Sequence, residues 1–349
     1  MRLVMVARDV APANALESLF AYIRESGVVD THGIFGYGKP FDASLDAINN
    51  SVGSATVVLL GMSSSSSLSR EELFAAEVAY KFGIPFGFYS DTFGTFRRPW
   101  FENYREKANF LFVINEDEAR SAKELFPKAR IVVSGNPLWE NFFFPKKTRK
   151  AVRGDLTFTD DDRVILCPGG KNLTVNLLHL GGVIEAVSRM DKDHKHWYVL
   201  FSKHPGDPNS TDAYGDLVKY SRSPLRVVTK EEFSGSDMIS GADVVIESAS
   251  TMGIEAACQR IPVIEYFSEI ALNRLEEANG IREWELVKLG AAREVRGNIT
   301  DLFNTILDLL LYGGDKKLRE VQERVFPKPA ELGTSLKIMT EVLKEFSGL

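Results

Sequence analysis

Apolar and polar positions along this chain switch repeatedly between short unbroken runs and helical spacing, and the switches mark out alternating strands and helices. Leu3 to Val6 predicts a first strand, and Asn14 to Glu25 sets Leu16, Leu19, Phe20 and Ile23 along one helical face. Gly33 to Phe35 fits a second strand. Ser51 to Leu60 carries a third in Val57-Val58-Leu59-Leu60. Ser69-Arg70-Glu71-Glu72 has capping-box spacing, so Ser69 is expected to open a helix ending near Phe82. Ile84 to Tyr89, Asn109 to Ile114 and Ile131 to Val133 read as further strands, with a helix over Glu116 to Leu125. Apolar strands alternating with helices imply a parallel sheet covered on both faces.

Pro137 to Gly154 breaks the rhythm with Trp139, three consecutive phenylalanines, Pro145 and five basic residues, and is expected to link two domains. Strands resume at Val164 to Leu166, Trp197 to Phe201, Leu225 to Val228 and Val244 to Ile246, and the chain after about Asn298 is helical. The expected division is 1–136, a linker over 137–154, a second α/β domain over 155–330, and a last helix in 331–349 returning to the first. A length of 349 residues favours two cores over one.

Composition narrows the class. Hydrophobic residues make up 44% and charged residues 26%, values of an ordinary globular enzyme. A net charge of −6 argues against a duplex-DNA partner, which asks for a broad basic face. Cys167 and Cys258 both fall in apolar segments, which suits reduced thiols and a cytoplasmic location. No run reaches the roughly 20 apolar residues of a membrane span, and the N-terminal MRLVMVARDV, which carries charge around its first strand, does not suit a signal peptide.

The most informative stretch is Ala242 to Glu265. Val244-Val245-Ile246 reads as a buried strand, Glu247 to Thr251 as a polar turn, Met252 to Gln259 as a helix, and Ile261 to Ile264 as the next strand. Backbone N–H groups, the positive end of the helix dipole and the hydroxyls of Ser248, Ser250 and Thr251 suit an anion there. Glu255, one turn into the helix, suits both hydroxyls of a ribose whose phosphates rest on the turn. Ser250 or Thr251 equally suits the N-cap of an ordinary βαβ unit, so both readings stand.

This stretch resembles the donor-site segment of GT-B glycosyltransferases and of the non-hydrolysing UDP-N-acetylglucosamine 2-epimerases. A Ser/Thr turn, the Glu255-Ala256 pair and a hydrophobic-Pro step carry the likeness, with Arg260 where those families have glycine. The resemblance implies two Rossmann-like parallel-sheet domains with a cleft between them, and a nucleotide-diphosphate sugar as the donor substrate.

Further residues take roles from it. Gly169, Gly170 and Lys171 follow the first strand of the second domain, where these families face the donor diphosphate. Ser202-Lys203-His204-Pro205 resembles their His-Pro step, which makes His204 a catalytic candidate and Lys203 a donor ligand. Leu60-Gly61-Met62-Ser63 aligns with an epimerase loop whose acidic residue is here Met62. That departure favours glycosyl transfer, because epimerisation needs proton donors and acceptors on both sides of the ring. Phe88 to Gly94 aligns with a segment that places Asp91 near an acidic position, with Tyr89 where a histidine stands. Asp91 suits the base for an acceptor hydroxyl or a turn cap, and Asp9 after the first strand is its rival.

No residues have metal-ligand spacing, so the resemblance implies catalysis without a metal or resident cofactor, with Lys171, His204 and the helix dipole stabilising the leaving diphosphate. The reading is a glycosyltransferase; the alternatives are a 2-epimerase-like enzyme and a non-catalytic nucleotide-binding regulatory protein. Aromatic and basic residues interleave over 93–107, and aromatics precede basic residues over 139–153, which suits a lipid-linked or polyanionic acceptor and peripheral contact with the inner membrane face. The same rings equally suit packing at the domain joint.

Overall fold

The computed structural model describes all residues except 1, 26, 28–29, 38–43, 191–195, 221–224, 230–231, 280 and 349. The chain forms two compact units, residues 1–141 with 329–349, and residues 142–328. Each is built on a six-stranded parallel sheet with flanking helices, the two-domain α/β arrangement of the GT-B fold.

The first sheet contains β1 (Arg2–Ala7), β2 (Asp30–Phe35), β3 (Val57–Leu60), β4 (Phe86–Tyr89), β5 (Phe110–Val113) and β6 (Arg130–Val133). Their order is β2-β1-β3-β4-β5-β6, so the chain changes direction of travel between β1 and β3. Alternation along β1 feeds two cores. Val4 and Val6 pack with Ile48, Val52, Ala75 and Ala79 on one face. Leu3 and Met5 pack with Leu16, Leu19 and Ile23 on the other. The C-terminal helix Thr334–Phe346 completes that second layer through Met339 and Leu343, both fully buried. Each such side chain contributes about 1.5–3 kcal/mol. Its first turn is held by Glu140, whose carboxylate accepts from the N–H groups of Gly333 and Ser335, both at 2.5 Å.

One element differs from the sequence pattern. Ser51 to Gly53 belong to the helix Leu45–Gly53, not to an approach into β3. Ser44 caps that helix at Ala47 N, and Ile48 and Val52, four apart, bury its one apolar stripe.

The second sheet contains β7 (Arg163–Pro168), β8 (Trp197–Ser202), β9 (Leu225–Val228), β10 (Val244–Glu247), β11 (Val263–Phe267) and β12 (Arg293–Arg296). Their order is β12-β11-β10-β7-β8-β9, which sets the switch of direction between β7 and β10. Ile165, Cys167, Val199, Phe201, Val244 and Ile246 pack beneath the helices Leu173–Ser188 and Ile299–Leu311. The passage between units falls inside 137–154, and the second half of that stretch is the helix Arg149–Asp155 of the second unit. Arg153 on it is buried, because Thr159 O, Gly241 O and Asp162 O accept from its guanidinium and Asp243 neutralises it. Among the described residues no helix is long and apolar enough to cross a membrane.

Candidate functional site

In open parallel sheets, ligands bind outside the carboxyl ends of the strands where the strand order reverses. In the second unit that point lies between β7 and β10, and the structure has a cavity of about 290 Å³ there. Gly169, Gly170 and Lys171 after β7, His204 after β8, and Ser248, Ser250 and Thr251 after β10 all line it. Seven sequence-predicted residues therefore meet at one place.

The groups available to a ligand differ from the expectation. The N–H of Gly169 donates to Ser202 O at 2.8 Å and that of Gly170 to Asn176 Oδ1 at 2.7 Å. Those two amides are already engaged within the protein. Gly169 is required for space, since a Cβ there would lie 2.7 Å from the Phe201 ring. Asn176, which the sequence pattern did not single out, clamps the loop by also donating to Gly170 O at 2.9 Å. Its only sequence signal is that it lies four residues past Asn172, which caps the same helix at Val175 N.

The turn after β10 is also internally bonded. Ser250 N donates to a Glu247 carboxylate oxygen at 3.1 Å, and Ala249 N to Glu265 at 2.9 Å. Ser248 turns its hydroxyl inward and donates to Tyr266 O at 2.6 Å. Ser250 caps the helix Thr251–Cys258 by accepting from Met252 N at 3.2 Å, which leaves its own proton to offer outward. Ala249 holds a φ of +56°, a left-handed conformation that an alanine rarely adopts.

Glu247 and Glu265 are in-register neighbours on β10 and β11, both fully buried beneath this turn. Burial first, and the facing Glu265 second, push Glu247 well above the ordinary carboxylate range; burial also raises Glu265. Burial and mutual repulsion favour the protonated form in two carboxyls so placed, and the pair accepts the N–H groups that shape the turn. Sequence reasoning took Glu247 as part of a polar turn and Glu265 as a strand residue. Only their registration across neighbouring strands reveals the pair.

His204 accepts from Gly206 N at Nδ1, at 2.8 Å, which leaves the proton of the neutral ring on Nε2. Burial first, and the nearby Lys171 ammonium second, lower its pKa, so the ring is neutral near pH 7. Lys203 does not line the cavity: its ammonium donates to Asp207 O at 2.8 Å and ties the following turn. Glu255 also lies away from the lining. It is 7% exposed, and Ser236 on the neighbouring helix Gly235–Gly241 hydrogen-bonds its carboxylate, while burial raises its pKa.

In the first unit the carboxyl edge gathers acids. Asp9 follows β1, Asp91 follows β4, and both lie close enough to Arg98 for its charge to act on them. Asp91 is 4% exposed, and burial pushes it up to about 7 against the lowering effect of Arg98. Asp9 is lowered instead: its hydrogen bonds, which include Val10 N at 2.8 Å and Ser64 N at 3.1 Å, outweigh the opposing effect of burial.

Glu72 is the residue the sequence pattern misassigned. It was expected to close a capping box with Ser69, but Ser69 makes no side-chain cap and donates to Ser63 O and Ser65 O. Glu72 accepts instead from Ser63 Oγ at 2.6 Å, Ser63 N at 3.0 Å and Arg8 N at 3.1 Å. A carboxylate thus stands at the loop where Met62 lacks one. Burial pushes it up to about 7, and its hydrogen bonds oppose that.

The aromatic and basic stretches are largely committed internally. Phe96 and Phe101 are fully buried in the first core, and Trp139 packs on Phe93 with ring centres 5.8 Å apart. Arg98 donates to Met62 O, and Arg105 to Arg97 O and Arg98 O.

No family model matches the chain, and no curated protein does. Solved structures match over nearly its whole length. A UDP-GlcNAc 2-epimerase from Methanocaldococcus jannaschii has a TM-score of 0.62 at 16% identity, covering 99% of this chain and 100% of its own. One from Neisseria meningitidis, bound to UDP-GlcNAc, has a TM-score of 0.59 at 15% identity with the same coverage. A glycosyltransferase from Rickettsia africae has a TM-score of 0.59 at 13% identity, covering 99% of this chain and 98% of its own. At such identities the likeness establishes the fold, which is the GT-B fold these enzymes share.

Proposed function

We propose that this protein is an enzyme acting on a nucleotide-diphosphate sugar, and that the reaction is glycosyl transfer to an acceptor hydroxyl. The observation that carries this is the meeting of Lys171, His204, Ser250 and Thr251 around one cavity at the switch point of the second sheet. Lys171 supplies charge and His204 an N–H donor to a diphosphate, the pairing that stabilises such a leaving group. In this reading the bond from the sugar's anomeric carbon to the diphosphate breaks and a bond to the acceptor oxygen forms. The acceptor's proton passes to Asp91, with Asp9 as the alternative base, and the nucleoside diphosphate leaves with the electron pair. Lys203 and Glu255 stay in the proposal as donor ligands on the resemblance alone, since neither lines this cavity.

A 2-epimerase-like reaction is the second reading: Glu72 returns a carboxylate to the loop where Met62 argued for its loss, but it is fully buried and bonded to Ser63 and Arg8. The two separate in deuterated water with UDP-sugars and no acceptor. The transferase reading expects slow hydrolysis at most and no deuterium in the sugar; deuterium at the second carbon would give the reaction to the epimerase. Calorimetry with UDP tests the shared part. Lys171→Ala is expected to weaken binding by about 1.5–3 kcal/mol, the worth of a charged hydrogen bond. UDP binding with no turnover of any donor, with or without acceptors, would leave a regulatory protein.

A further inference from the structure

At the opposite edge of the second sheet, where β7 and β10 begin, lies a larger cavity of about 1040 Å³. The length of β7, about 20 Å at 3.3 Å per residue, separates this edge from the cavity at Gly169 to Lys171. Six cationic side chains line it: Lys147, Arg149, Arg163, Arg260, Arg319 and Lys328. Three have carboxylate partners, Lys147 with Asp155 at 2.9 Å, Arg149 with Asp243 at 2.6 Å and Arg319 with Asp315 at 2.8 Å.

The other three make no ion pair among the described residues, although the Glu323 carboxylate, which also lines the cavity, acts on Arg260. Arg260 spends its guanidinium on the carbonyls of Ala257, Cys258 and Phe326, Lys328 lies over the Phe144 ring at 4.9 Å, and Arg163 makes no ion pair. The one carboxylate nearest β7 is already divided, since Asp243 also neutralises buried Arg153 at 3.2 Å. Burial lowers Arg149 and Arg260, a cost that an added anion would offset. Arg163 and Lys328 thus line the cavity with no carboxylate of the described residues in ion-pair contact, in a chain whose net charge is −6.

We infer that this cavity is a second anion site, for a ligand carrying at least two phosphate groups. Six cations around one space, against the three lining carboxylates Asp243, Asp315 and Glu323, match several negative charges better than one, and guanidinium groups bind phosphate bidentately. Ile261, Leu309 and Leu310 form apolar wall beside them, so the phosphates belong to a molecule with an apolar body. A lipid headgroup and a soluble phosphorylated metabolite both have that chemistry.

The test is calorimetry of the full chain with inorganic pyrophosphate at low salt, comparing the parent with Lys171→Ala and with Arg163→Gln/Lys328→Gln. The parent is expected to show two classes of site. Lys171→Ala should lose the one at the β7–β10 switch and keep the other; the double variant should keep the first and bind at the second at least about tenfold more weakly. If the double variant does not fold, Lys328→Gln alone must show part of that loss. Sedimentation with phosphatidylglycerol vesicles then identifies the source: salt-sensitive binding that the double variant loses assigns a lipid headgroup, and its absence assigns a soluble ligand. Pyrophosphate binding that is the same in parent and double variant, or that Lys171→Ala abolishes entirely, would overturn the second site. Failure of the nucleotide-sugar reading would appear differently, as no UDP binding while the second site still takes pyrophosphate.

Discussion

The two sheets have equal strand number and the same parallel sense, yet their carboxyl edges are chemically opposite. Around the β1–β3 switch and the neighbouring end of β4, the first unit presents Asp9 and Asp91 beside Arg98, with Glu72 tucked under the loop. Around the β7–β10 switch, the second presents Lys171, His204 and two hydroxyls, and its carboxyls, Glu247 and Glu265, are fully buried. Both loops rest on carboxylates that accept backbone N–H groups from beneath. The difference lies in what each edge holds: a buried carboxyl kept near neutral pH in one, a cation lining a cavity in the other. A parallel sheet supplies a place for chemistry, and the few residues just past its strands decide whether that place handles protons or anions.

The strongest way to break this division is Asp91→Asn. If the first edge carries proton transfer alone, turnover should fall by about 10²–10⁴-fold, the usual worth of a general base, and UDP affinity should stay at the parent value. Steady-state rates together with calorimetry check both halves. A variant that kept its rate, or lost nucleotide affinity in step with rate, would end the assignment of separate tasks. The same substitution should flatten the parent's loss of stability between about pH 4 and 7, because Asp91 holds its proton up to about 7 when folded and sheds it near 3.9 when unfolded.

A smaller effect is expected where the second edge hides its carboxyls. Glu247 and Glu265 are both raised by folding, so the folded chain binds more protons than the unfolded one above the ordinary carboxylate value. Stability therefore falls as pH climbs from about 4.5. Glu247→Gln removes one titrating group yet keeps an acceptor for Ser250 N and a donor toward Glu265. Its melting temperature should match the parent's near pH 5 and exceed it by a few degrees at pH 8. Equal pH slopes in the two proteins would show that burial does not hold a proton on Glu247.

The strand-and-helix alternation was readable because buried parallel strands are continuous apolar runs, and Val57 to Leu60 or Val244 to Ile246 admit little else. The loop residues were readable too, since Lys171, His204 and Thr251 immediately follow strands and parallel sheets collect such loops at one edge. What escaped was every interaction set by tertiary geometry. Glu72 has the spacing of a capping box, and nothing local reports that Ser63 donates to its carboxylate instead. Asn176 resembles any helix residue until Gly170 is brought beneath it. Position alone puts Gly169 and Gly170 at the diphosphate, and nothing local reports that their amides are engaged by Ser202 and by Asn176.

The smallest effect concerns the backbone of the two loops. Gly61, just past β3, sits where a Cβ would lie 2.8 Å from Ala7 Cβ and 3.1 Å from Glu72 Oε1, so its glycine is required by space. Ala249, just past β10, has the opposite problem: there is a side chain, but at φ +56° the backbone prefers none. A left-handed conformation costs a non-glycine residue roughly 1–2 kcal/mol, and glycine gives back about 0.5–1 kcal/mol in unfolded-state entropy. Ala249→Gly should therefore stabilise the protein by about 0.5–1 kcal/mol in urea unfolding, whereas Gly61→Ala should destabilise it through the contact with Ala7. The substitution also bears on function, because the strained turn carries Ser250 and Thr251 at the cavity. If Ala249→Gly stabilises the fold and weakens UDP binding together, the strain holds those hydroxyls in place; if it does neither, the Glu247 and Glu265 contacts alone set the turn.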